Sequence, residues 1–180
     1  MTAKAHSYDV TMQAQAGTPQ YLTFLLAGEE YGVDILSVQE IRGCSSVTPI
    51  PNTPEYVLGV INLRGTVVPI IDLRKRFGLA PAEFSATTVF VVVRAIGLDR
   101  HRTMGMVVDA VSDVYNIAPD EVKPAPDVGN AVDHDFVTGL ATVDDKMMIL
   151  LDIDRVVNSS ISEPNKLIDD SGTNPTYSIQ

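Results

Sequence analysis

One stretch of the chain occurs twice. Gly59-Val60-Ile61-Asn62-Leu63-Arg64-Gly65-Thr66-Val67-Val68-Pro69-Ile70-Ile71-Asp72-Leu73 returns eighty residues later as Gly139-Leu140-Ala141-Thr142-Val143-Asp144-Asp145-Lys146-Met147-Met148-Ile149-Leu150-Leu151-Asp152-Ile153. In each copy a glycine opens a short apolar strand, a polar turn follows, and a second apolar strand ends in aspartate. Upstream, Val33-Asp34-Ile35-Leu36-Ser37 is echoed by Val108-Asp109-Ala110-Val111-Ser112, and Tyr56-Val57-Leu58-Gly59 by Phe136-Val137-Thr138-Gly139. Two copies are too few for a solenoid, which needs about three repeats to bury a continuous core. The pattern therefore predicts two small related subdomains.

Strand signals dominate the body of the chain, because short β-branched and apolar runs alternate with Gly, Pro, Asn and Asp. The reading places strands over residues 20–27, 32–34, 47–50, 58–62 and 66–72, then 88–94, 103–109, 114–117, 137–143 and 146–152. Short helical pieces are expected at 35–38, 54–57, 73–77 and 154–158. Ten strands in two sets of five give an all-β fold of two small barrels related by internal duplication, with a few short helices. The first barrel is placed at about 20–84 and the second at about 85–158, with residues 84–87 as the connection and exchange of a strand or helix between them allowed. Residues 1–19 and 159–180 read as flexible tails, since neither buries enough apolar surface to offset the entropy of ordering. In residues 67–73 both alternate faces are apolar, which implies burial on two sides. Pro69 cannot donate a ladder hydrogen bond, so its strand needs an edge or a bulge there.

Composition narrows the function. With 45% hydrophobic residues in 180, packed cores can form. The net charge of −10 argues against nonspecific binding to nucleic acid or an anionic membrane, which needs clustered Lys and Arg. A barrel that binds oligonucleotides would also want an aromatic and basic strand face, which is missing. The single cysteine, Cys44, cannot form an internal disulfide, and the start of the chain has no signal-peptide pattern. The longest apolar runs, 89–93 and 147–151, are strand-sized, so no direct membrane insertion is expected and the cytoplasm is the expected location.

Most of the chemistry-bearing residues have structural explanations. The repeated Asp72 and Asp152 invite comparison with aspartic proteases, yet the residues after them lack the small-residue loop of that site, and capping of a following helix accounts for both. His134 lies between Asp133 and Asp135, but adjacent loop residues rarely converge on one metal ion. Cys44 has no catalytic partner nearby in sequence, and Arg74-Lys75-Arg76 reads as a solvated helix face. Gly28 and Gly32 read as a hairpin around Glu29-Glu30 rather than a phosphate loop. No enzyme activity, cofactor or metal is expected.

Arg64 is different. In the turn Asn62-Leu63-Arg64-Gly65 the asparagine and glycine are turn chemistry, whereas the turn does not require an arginine and the second copy has Asp144 there. Pairing with a carboxylate such as Glu40 would account for it; so would a protein interface, where arginine anchors through paired hydrogen bonds.

At these residues the chain resembles the CheW family of bacterial chemotaxis coupling proteins. The likeness runs through Val38-Gln39-Glu40-Ile41-Arg42-Gly43, Ile50-Pro51-Asn52-Thr53-Pro54, the run from Gly59 to Gly65 with Val68-Pro69-Ile70-Ile71-Asp72-Leu73-Arg74, and Val107-Val108-Asp109-Ala110-Val111-Ser112-Asp113-Val114. The resemblance implies two five-stranded SH3-like barrels. It also implies a non-catalytic adaptor that couples transmembrane chemoreceptors to the histidine kinase CheA, whose regulatory domain has the same fold, with ring assembly alongside such domains. The output could be flagellar or another chemosensory pathway such as twitching. A CheV-type protein would add a receiver domain, and a free-standing coupling protein fits the length best. Carried onto matching positions, the resemblance places Val38, Glu40 and Arg64 at or near the surface facing the receptor tip, Val89 and Val114 close to the groove between barrels, and Gly59 near contacts with the kinase. For the three valines, composition alone favours a place in the core.

Overall fold

The computed structural model describes residues 17–97, 99–126 and 134–162. Ten strands form two five-stranded sheets: β1 (Gln20–Leu26), β2 (Glu29–Asp34), β3 (Val38–Gly43), β4 (Val57–Leu63), β5 (Thr66–Asp72), β6 (Val89–Ile96), β7 (His101–Val108), β8 (Ala110–Asn116), β9 (Val137–Val143) and β10 (Lys146–Leu151). Two helices, α1 (Leu73–Arg76) and α2 (Ile153–Ser162), each follow the last strand of a repeat. The sheet orders are β8-β1-β2-β10-β9 and β3-β6-β7-β5-β4. Adding five to each strand number of the second order, and counting on from ten to one, reproduces the first. The duplication seen in the sequence is thus a pseudo-twofold of the fold, with β1 and β6, β2 and β7, and so on in equivalent places.

The sheets are not the sequence halves. Strands β3 to β7, a continuous run of chain, make one barrel, here the nested barrel. Strands β1 and β2 leave their own repeat to join β8, β9 and β10 in the split barrel. A boundary near residue 84 therefore falls inside the nested barrel, between β5 and β6. The reason lies in the pairing of β5 with β7 and of β10 with β2, both parallel. A parallel partner cannot be reached by a tight hairpin, so each terminal strand of a repeat takes its neighbour from the other repeat.

Each barrel closes through a single bridge. After β3, Thr48 exchanges two backbone hydrogen bonds of 2.9 Å with Val60 in β4; after β8, Lys123 does the same with Leu140 in β9 at 2.8 and 2.7 Å. The expected strand at 47–50 is this bridge alone. The true third strand is β3, which polar Gln39, Glu40 and Arg42 disguise because it lies at the sheet margin and keeps one side toward solvent. Similarly, β8 begins four residues before the expected 114, its outward Ser112 and Asp113 hiding it. The β1–β2 turn is Ala27-Gly28 rather than Glu29-Glu30: both have positive φ, 51° and 83°, and Glu29 already pairs with Leu26. Residues 54–57 form a reverse turn, with Val57 N donating to Pro54 O, and not a helix. Helix α2 extends to Ser162, so 159–162 are helical where a tail was expected. The other residues of the expected tails, 1–16 and 163–180, lie outside the described residues.

The strand β6 shows how the core is divided. Phe90 and Val92 point into the nested barrel with Ile61, Val68 and Ile70, while Val91, Val93 and Ala95 point into the core shared between barrels. Ile117, Ala141, Met148 and Leu150 fill the split barrel. On β5 the two-sided burial begins at Val68, because Val67 is exposed, as is its repeat equivalent Met147. Pro69 sits opposite Val60 and one residue before the ladder with β7 starts at Ile70, so its missing N–H interrupts nothing between β5 and β7. Across the shared core the rings of Phe24, Tyr31, Phe77 and Phe136 succeed one another at centroid distances of 6.0, 5.9 and 5.8 Å.

Candidate functional site

The β4–β5 turn presents Arg64 at the end of the nested barrel. Arg64 and Gly65 have φ of 51° and 84°, both in the left-handed region, and the Asn62 side chain accepts from Gly65 N at 2.8 Å. Two-residue turns of this shape match the right-handed twist of the strands they join and favour Asn, Asp or Gly. The equivalent turn in the other repeat uses Asp144-Asp145, at 50° and 62°. An arginine here costs about 1 kcal/mol relative to glycine, and the fold gives little in return: the side chain is 73% exposed, and its ion pair with Glu40 sits at the surface.

Glu40 gathers the local charge. From β3 its carboxylate pairs with Arg64 and, at 3.5 Å, with Arg42. Beside Arg64 the barrel end opens into a cavity of about 260 Å³ lined by Gln39, Leu63, Arg64, Thr66, Val68 and Thr103. Leu63 and Val68 are buried and give it an apolar floor, while the rim is polar. No acid, base and nucleophile converge there; the arrangement suits holding a partner's side chain rather than reacting with it.

The other expected site residues are spread over the fold. Val38 opens β3, two residues from Glu40, and at 9% exposure belongs to the shared core opposite Val93. Val89 begins β6, is half-buried, and pairs with Gly43 and Val108. Val114 stands on β8 of the split barrel, 38% exposed, opposite Leu22. Gly59 has a plain internal function: at φ 143°, a Cβ there would lie 2.1 Å from the Thr48 carbonyl oxygen, so the closing bridge needs glycine. Gly139 repeats this against the Lys123 carbonyl, at 2.6 Å.

Two arginines carry contacts that the sequence reading assigned to a solvated helix face. Arg74 donates from Nε to Asp109 Oδ1 at 2.9 Å and from Nη2 to Oδ2 at 2.6 Å, and from Nη1 to the Ala80 carbonyl. Asp109 also accepts from Ala27 N at 2.9 Å. The hydrogen bond from Arg74 holds the Asp109 carboxyl below its usual range, against the opposing effect of burial, and raises the guanidinium in turn. Arg76 lies over the rings of Tyr56 and Phe136, at 4.7 and 4.8 Å, and donates to Ser160 and Ser159 of α2. The residues that meet here are distant in sequence, and nothing local pairs Arg74 with Asp109 or Arg76 with Tyr56 and Phe136.

The remaining candidates have structural duties. Asp72 and Asp152 cap α1 and α2, accepting from Lys75 N and Arg155 N at 3.3 and 3.2 Å. The Cys44 thiol donates to the Thr88 carbonyl, and burial pushes it up. His134 begins a 3-10 turn whose histidine side chain lies outside the described residues. Among the described residues no group of three His, Cys, Asp or Glu could hold a metal ion, and no helix is long and apolar enough to cross a membrane.

Residues 20–160 match the CheW-like domain, which takes in both barrels. The chain is 43% identical over 140 residues to the chemotaxis protein CheW of Klebsiella aerogenes, covering 78% of this chain and 82% of that protein. It is 36% identical over 147 residues to a probable chemotaxis protein CheW of Rhizobium etli, covering 82% and 92%. The fold is similar to the crystal structure of the CheW scaffolding protein from Thermoanaerobacter tengcongensis, with a TM-score of 0.69, 38% identity, and coverage of 78% and 88%.

Proposed function

Because the chain belongs to the CheW family of chemotaxis scaffold proteins, we propose that it is a non-catalytic cytoplasmic adaptor that binds chemoreceptor tips and the regulatory domain of the kinase CheA, and so couples one to the other. The observation that carries the receptor half of this reading is Arg64. A residue kept at positive φ, where its own repeat uses aspartate, points to a use outside the fold.

Receptor binding is assigned to the end of the nested barrel, with Arg64, Glu40 and the adjoining Val38 at or near the contact. Val89 and Val114 are assigned to the groove between barrels, with an amphipathic helix of the receptor tip as its occupant. The kinase regulatory domain is assigned to the neighbourhood of Gly59, beside the closing bridge between Thr48 and Val60. Signalling then depends on placing the kinase, and repeated modest contacts gain strength from effective concentration in a ring of such domains.

The test is binding of the wild type and Arg64→Ala to a CheA regulatory domain and to a receptor cytoplasmic fragment, with circular dichroism as the folding control. Loss of receptor binding alone in a folded variant supports the assignment. Absence of wild-type binding to both partners removes the adaptor function.

A further inference from the structure

Charge is sorted between the barrels in a way that chain order conceals. The split barrel, over described residues 20–34, 110–126 and 134–151, carries nine carboxylates against two lysines, net −7. The nested barrel, 38–108, carries eight arginines and lysines against five carboxylates, net +3. Over the same residues a cut at residue 84 would give −2 on each side, so the segregation follows from the crossover of β1 and β2 into the split barrel.

Part of the positive charge is turned inward, on Arg74 and Arg76. Two of the remaining cations, Arg64 and Arg94, stand at the mouth of the nested barrel. Arg94 lies on the same face of β6 as Phe90 and Val92, the inner face of the nested barrel, but beyond Val93, where the β3 ladder stops. It is directly opposite Thr103, which lines the cavity beside Arg64. One step further along the same face come Ile96, 65% exposed, and its partner His101. Ile96 is held firmly: Asp154 accepts from its N–H at 2.7 Å and Asn158 donates to its carbonyl at 3.0 Å. Of the carboxylates beside this mouth, Glu40 is shared between Arg64 and Arg42, Asp154 is engaged with the backbone, and Asp99 is the hairpin's own.

We propose that this mouth, from Arg64 across Thr103 to Arg94 and Ile96, is the docking surface for an acidic, amphipathic helical face of the receptor tip, with the two guanidiniums on carboxylates and Ile96 against its apolar edge. The inference rests on the reading that Arg64 meets the receptor, and adds the chemistry of the partner and two residues that read it. The opposite charge of the split barrel repels the same face, which orients the encounter before contact. Cations outside the contact mainly speed association, whereas those within it slow dissociation.

Binding of a receptor cytoplasmic fragment and of a CheA regulatory domain to Arg94→Glu, Arg94→Gln and Ile96→Ser, at low and physiological ionic strength, tests this. All three substitutions fall at exposed sites, and thermal unfolding verifies the fold. Arg94→Glu is expected to weaken receptor binding about tenfold or more at low salt, Arg94→Gln less, and Ile96→Ser severalfold, with kinase-domain binding unchanged. Receptor binding that ignores Arg94→Glu and Ile96→Ser, or a loss that falls on the kinase domain instead, overturns the assignment while leaving the adaptor reading intact. Wild-type protein that binds neither partner overturns both.

Discussion

Arg74 and Asp109 meet in a paired, two-point contact, 2.9 and 2.6 Å, that joins the helix after β5 to the single residue between β7 and β8. Through Ala27 N, the same carboxylate also grips the β1–β2 turn of the split barrel. One side chain thus pins the point where the chain passes from one barrel to the other.

The contact predicts a pH dependence. The Asp109 carboxyl is held low in the folded state by the Arg74 hydrogen bond, so the unfolded chain takes up the proton first as pH falls. The stabilisation is complete above the unfolded carboxylate value, about 3.9, and disappears as pH drops through the lower folded value. Asp109→Asn is expected to cost about 1–2 kcal/mol at neutral pH, discounted for the partial exposure of the pair. The difference in melting temperature between wild type and variant should shrink steadily below about pH 4; a constant difference would contradict this account.

Gly59→Ala places a methyl carbon where the Thr48 carbonyl already stands, and does so at positive φ. A loss of about 2–4 kcal/mol in urea unfolding is expected. Gly139→Ala meets the Lys123 carbonyl at 2.6 Å without the positive φ, so a smaller loss is expected there, although no partner contact was expected at Gly139. A loss at both sites would show that any effect of Gly59 on kinase binding must be separated from barrel closure.

Arg64→Asn relieves a residue at φ 51° and removes a surface ion pair worth about 0–1 kcal/mol. Stability should therefore stay level or rise by about 0.5–1 kcal/mol, while receptor binding is lost. A folded, equally stable or more stable variant that no longer binds would separate function from fold at this residue.

Phe77 occupies the middle of the ring succession that spans both barrels. Phe77→Ala is expected to cost about 3–5 kcal/mol. Since the ring touches Tyr31 from one barrel and packs in the core of both, calorimetry should show a single cooperative transition moved down rather than two transitions.

What could be read from the sequence followed from repetition and local pattern. The equivalence of Gly59 and Gly139, of the turns at 64–65 and 144–145, and of the caps Asp72 and Asp152 depended only on residues close together in the chain. The pairing of Glu40 with Arg64 was also foreseeable, as a carboxylate and a turn arginine without other employment. Parallel pairing was not, because a strand's pattern of burial does not say which distant strand lies beside it. Strand β3 is hidden for a local reason, its alternation of Gln39, Glu40 and Arg42 with half-buried Ile41 resembling a loop. Nor does local sequence reveal the packing of Arg74 and Arg76, because arginine's long apolar stem and planar head can be packed as readily as solvated.

The insertion of one barrel within the strands of the other sets an order of events during synthesis. The nested barrel is complete once Val108 has left the ribosome, and every strand it needs is then available. By contrast β1 and β2 emerge first and have no sheet to join until β8, β9 and β10 follow, the last ending at Leu151. The earliest strands are therefore the last to be satisfied. Their exposed edges must be kept from strangers while more than a hundred residues are added, and folding of the whole awaits the slow closure of that long loop.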